Sequence, residues 1–153
     1  MISKINVLEY RLNDEFNDFP ALYHYKNLER EQIYVRRECE LFVKDGIIYQ
    51  QTSSALEDDR FVIYVEETKK ESPIRSGPTY DNLVIEVREF KNIGERKILH
   101  TYHCFNHDEV LGYLGNTYIT LSQKEYCRVL AEVDEDRKAY ILFVEDTGLI
   151  IED

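Results

Sequence analysis

Residues 32–49, QIYVRRECELFVKDGIIY, carry the pattern on which the fold turns. Ile33, Val35, Cys39, Leu41 and Val43 share one parity, while Tyr34, Arg36, Glu38 and Glu40 share the other. That is the two-residue period of a strand with a core face and a solvated face. Lys44-Asp45-Gly46 supplies a turn with a glycine able to take positive φ, and Ile47-Ile48-Tyr49 begins the return strand. The stretch predicts an antiparallel hairpin.

Working outward, Phe61 to Val65, Leu83 to Phe90, Arg96 to Phe105 and Ala139 to Val144 read as further strands, with a last hairpin turning at Asp146-Thr147-Gly148. Near the N-terminus, Ile5, Leu8, Leu12, Phe16 and Phe19 recur at helical steps behind Ser3, against a competing alternation of Leu8, Tyr10 and Leu12. Asn106 stands three residues before Glu109 and predicts the cap of a short helix ending at Gly115. Ser122 and Glu125 form a capping box ahead of Tyr126, Val129, Leu130 and Val133, predicting a helix. The alternative there is a strand pairing across Asp134 to Lys138. Together these give one α+β domain over residues 1–153, an antiparallel sheet of about six to eight strands with two or three helices packed on one face. No internal repeat, linker or low-complexity tract is read in it.

The chain has 153 residues, enough for one core, and a formal charge of −11. A field of that sign repels phosphate backbones and anionic membranes, so nucleic acid and membrane are not expected partners. The acids concentrate at Glu132, Asp134, Glu135, Asp136, Glu145, Asp146, Glu152 and Asp153. If exposed, these would draw a basic protein, and Glu132, Asp134, Glu135, Asp136 and Asp146 are the candidate partner-binding residues. Lys69, Lys70 and Arg75 form a basic patch in a connection rich in proline and glycine, and are loop candidates for binding. The first residues contain neither a secretory signal nor a membrane span, and three widely spaced cysteines suit reduced thiols. A cytoplasmic location is expected.

The segment 100–107, HTYHCFNH, raises the question of a metal. In a helix, His100, His103, Cys104 and His107 would share one face and could converge. In a strand His100 and Cys104 face one way, His103 and His107 the other, and each same-face pair lies roughly 13 Å apart. Zinc needs donors at about 2.0 to 2.3 Å. The flanking turn and β-favouring residues select the strand, so neither metal nor cofactor is expected. No catalytic residue is assigned: a neighbouring strand histidine cannot take the Cys104 proton, and serine-elbow, Walker and dinucleotide motifs are absent. Two functions remain: a noncatalytic binding or regulatory domain with an acidic interaction surface for a protein partner, or a small-molecule enzyme or ligand carrier with a pocket between sheet and helices.

Overall fold

The computed structural model describes residues 6–69, 74, 77–91 and 96–152. Its elements are β1 (Leu8–Leu12), a 3-10 turn (Glu15–Asn17), β2 (Ala21–Tyr25), α1 (Arg30–Glu38), β3 (Leu41–Lys44), β4 (Ile47–Leu56), β5 (Phe61–Glu67), β6 (Val84–Glu89), β7 (Ile98–His103), α2 (His107–Leu114), β8 (Tyr118–Leu121), β9 (Lys124–Asp134) and β10 (Ala139–Ile150). One sheet runs β2-β1-β5-β4-β3-β9-β10-β6-β7, with β8 beside β9. The antiparallel sheet of six to eight strands is therefore corrected to a mixed sheet of ten strands and two helices among the described residues. Three of its pairings are parallel: β1 with β5, β6 with β10 and β3 with β9. Hairpin signals are local and cannot report such pairings, which join distant segments.

Two segments change state. Residues 30–38 form a helix because six of the nine are Arg, Glu or Gln, good helix formers, with Glu31 in the first turn and Arg36 and Arg37 in the last, matching the helix dipole. Residues 124–134 form a strand. Ser122 and Gln123 both take left-handed φ, +48° and +67°, turning β8 into β9 without a glycine to announce it. The C-terminal half of β9 is buried whichever way its side chains point, which erases alternation and leaves a spacing that mimics a helix. The expected N-terminal helix is replaced by β1, and the last hairpin by a β10 that runs on through residue 148. The cap of α2 forms as read: Asn106 accepts a hydrogen bond from the Glu109 amide at 2.9 Å.

The chain is an internal duplication. The order β2-β1-β5-β4-β3 recurs as β7-β6-β10-β9-β8, each unit with its helix between its second and third strands. Registers coincide: Leu8 pairs with Tyr25 and Phe61, and Ile85 with Tyr102 and Tyr140. Irregularities coincide too, after Tyr10 and after Val87, and opposite Thr52 and Val129. Seventy-seven positions apart, Val7-Leu8-Glu9-Tyr10-Arg11 matches Val84-Ile85-Glu86-Val87-Arg88, and Asp58-Asp59-Arg60 matches Glu135-Asp136-Arg137. After the inserted Lys138-Ala139, Phe61 to Thr68 (FVIYVEET) matches Tyr140 to Thr147 (YILFVEDT). The reading of no internal repeat is corrected accordingly. The halves meet through β3 on β9 and α1 on α2. Ile33, Val35, Val110 and Leu114 of the two helices share one core with Leu8, Tyr10, Val87 and Leu142 of the sheet.

Each half repeats one ion cluster. Glu9 accepts from Arg11 at 2.7 Å and Arg60 at 2.9 Å; Glu86 accepts from Arg88 at 2.9 Å and Arg137 at 2.5 Å. Gly77 lies against the second cluster, where a Cβ would stand 2.7 Å from Arg137 Nη1. Burial pushes the Glu86 carboxyl up, but hydrogen bonds from Arg137, Tyr80 and Arg88 outweigh it and hold the pKa at about 2. A depressed carboxyl pKa contributes stability that is present above the unfolded value and lost as pH falls toward the folded one. Glu86 therefore supplies up to about 3 kcal/mol that should disappear between pH 4.5 and 2. Asp134, raised by burial, offsets part of this. Urea unfolding across that range checks it, with Glu86→Gln flattening the dependence; an equally steep loss in the variant would assign the acid sensitivity elsewhere.

Candidate functional site

One departure from the repeat lies where α1 meets the β9–β10 turn, at Arg36. Arg36 is only 6% exposed. Its Nη2 donates to Glu135 Oε1 at 2.6 Å, its Nη1 lies 3.5 Å from the Tyr10 hydroxyl, and its Cζ sits 4.8 Å over the Tyr25 ring. Glu135 also accepts from the Tyr25 hydroxyl and from Lys44 Nζ, each at 2.6 Å. Burial pushes the Glu135 carboxyl up, and Arg36, Lys44 and Tyr25 together draw it below its ordinary value. Burial likewise raises the Tyr10 phenol to about 12 and the Tyr140 phenol further. Arg36 Nε is buried without a hydrogen-bond partner among the described residues.

Beside this cluster opens a cleft of about 390 Å³, with Leu83, Val133, Ala139 and Tyr140 as apolar walls and Asn82, His107 and Lys138 among its polar lining. That volume falls within the range of small-molecule sites. His107 opens α2 and faces Glu29 at 3.7 Å; burial lowers its pKa. Lys138 is exposed, in a left-handed conformation, and forms no ion pair among the described residues. Burial pushes the Cys39 thiol far up and the Cys104 thiol to about 11, which leaves neither as a thiolate nucleophile near neutral pH. The carboxylates of Glu135 and Asp134 are both bonded to arginine.

The acidic candidates separate. Glu132 and Asp134 are buried, contrary to the exposure on which an acidic surface depends, because they occupy the doubly covered end of β9. Glu135 is held in the cluster just described. Asp136 is exposed but accepts from the Asp45 and Gly46 amides, each at 2.8 Å. Asp146 is exposed and accepts from the Gly148 amide at 2.8 Å. Lys69 is exposed at the end of β5, away from the cleft, whereas Lys70 and Arg75 lie outside the described residues. His100 and His103 stand on β7, and among the described residues no three His, Cys, Asp or Glu side chains converge as a metal site.

Sequence reasoning missed Arg36, Tyr10, Tyr25, Tyr140 and Lys138. A signal existed in the spacing of seventy-seven. The ion clusters repeat in both halves, as a scaffold would. Arg36 instead aligns with Tyr113, Lys44 with Leu121 and Tyr140 with Phe61, and Lys138 has no counterpart. Among the described residues no helix is long and apolar enough to cross a membrane. In comparisons with known proteins, no family model, no curated protein and no solved structure matches the chain.

Proposed function

We propose that the protein is a noncatalytic cytosolic binding domain that holds a small ligand in the cleft between its two halves. One observation carries this reading: Arg36 and Lys138, which line the cleft, break the internal repeat, the one aligning with Tyr113 and the other with no residue, so they are not what the shared scaffold requires. The chemistry of the lining fits a ligand with a flat apolar body, lying against Tyr140, and one acceptor or anionic group directed to Arg36 Nε or Lys138. Three free cysteines suit the reducing compartment. A fragment set of small aromatic carboxylates, followed through the His107 ring resonances, tests it. Saturable shifts are expected, with Lys138→Glu weakening the binding about tenfold and leaving the melting temperature unchanged, since an exposed side chain contributes little to stability. No saturable shift from any fragment would set the reading aside.

A second reading, a basic protein met by acids, is supported by the exposure of every residue from 145 to 150, which include Glu145 and Asp146. It rests on these two and Asp136, without Glu132 or Asp134.

A further inference from the structure

The two halves present two equivalent junctions, of which one is formed. In the formed one, β3 lies parallel to β9, Leu41 opposite Glu132 and Val43 opposite Asp134. Glu40 accepts from the Ala131 amide at 2.6 Å and from Arg128 at 2.8 Å, Lys44 pairs with Glu135 at 2.6 Å, and Asp136 caps the turn at Asp45 and Gly46. In the other junction the same roles fall to Thr117 for Glu40, Gln51 for Arg128, Leu121 for Lys44 and Asp59 for Asp136. Threonine has no carboxylate, glutamine no charge and leucine no cation, while Asp59 is bonded to Arg60 at 2.9 Å. Accordingly, among the described residues, β8 pairs with β9 alone, and β4 from Ser53 to Leu56 pairs with β5 alone. Among the described residues both strands keep a free edge there, a template for another strand.

The gap has the features of a seat. Leu56 and Tyr118, on its two edges, are 63% and 58% exposed. A recess of about 230 Å³ lies at its upper end, lined by Arg37, Glu38, Glu40, Gln51 and Thr52, and Gln51 Oε1 is buried there without a partner among the described residues. Asp58, the counterpart of Glu135, is exposed and makes no ion pair among the described residues. None of these residues lines the cleft between the halves.

We propose that this open junction docks an extended segment of a partner protein, which adds to the free edge of β4 in parallel, as β3 adds to β9. Main-chain pairing supplies the affinity and side chains the selectivity. The occupant's chemistry follows from β3, whose sequence Leu41-Phe42-Val43-Lys44 places apolar residues along the strand and a cation on the acid beyond it. The segment is therefore apolar and ends in a basic residue that meets Asp58.

A labelled peptide of the chain's own residues 40–46, ELFVKDG, is the probe, read by fluorescence anisotropy on the full-length protein. Saturable binding is expected, weakened at least fivefold by Asp58→Lys, an exposed change that leaves the fold intact. The pair Gln51→Arg with Thr117→Glu rebuilds the missing junction and should raise the melting temperature while weakening peptide binding at least tenfold. Absence of saturation, or equal binding to the wild type and to Asp58→Lys, overturns the proposal. Concentration-dependent dimers disrupted by the same substitutions would overturn it in favour of a second copy as the occupant. Loss of fragment binding in the cleft leaves these outcomes untouched.

Discussion

Arg137→Met costs the fold about 3–5 kcal/mol, the penalty for leaving buried charge uncompensated. Glu86 is 0% exposed, Asp134 1% and Arg137 5%, so removing one guanidinium strands two carboxylates away from water with Arg88 as the remaining cation beside Glu86. Arg60 holds the same place in the first half, but its side chain is 28% exposed, and water can replace it around Glu9. Arg60→Met therefore produces a much smaller loss. Denaturant unfolding of the two variants checks the contrast. Equal losses would mean that the bonding pattern, and not its burial, sets the energy.

Glu135→Gln is the second large effect, a loss of about 3 kcal/mol. Arg36 is left 6% exposed without its counter-charge, and Lys44 loses the same partner. Adding Asp134→Asn and Asp136→Asn removes one of the two carboxylates paired with Arg137 and weakens the cap on the β3–β4 turn, so the triple variant should lose cooperative unfolding. From sequence, with all three acids on a solvated turn, the expected result is an intact domain with slower association. Glu145→Gln with Asp146→Asn, on exposed β10, should stay within about 0.5 kcal/mol of the parent. Calorimetry separates the two sets, and a triple variant as stable as the parent would contradict the buried cluster.

What could be read from sequence was what neighbours in the chain decide. The Asp45-Gly46 turn, the Asn106 cap and the strands β5, β6 and β7 announce themselves within a few residues. Parallel pairing does not, and neither does the meeting of Arg36 with Glu135 from ninety-nine positions away. Residues 32–38 misled because Ile33 and Val35 are both buried, one parity of a strand, though the helix carries them against the sheet and α2. The duplication was written in the sequence, in Val-x-Glu-x-Arg and in FVIYVEET against YILFVEDT. The Lys138-Ala139 insertion shifts the spacing from seventy-seven to seventy-nine and breaks the match into pieces.

A single formed junction also orders events as the chain folds. Among the described residues every strand pairing except β3 on β9 is made inside one half, so each half can close its own sheet by local search, and docking follows as a collision of preformed bodies. The groups that dock are the same whether the halves belong to one chain or to two. The intrachain event wins through the effective concentration that the 68–83 connection maintains, on the order of mM for a short linker. As refolding protein approaches that concentration, halves exchange between molecules, and domain-swapped oligomers become the competing product.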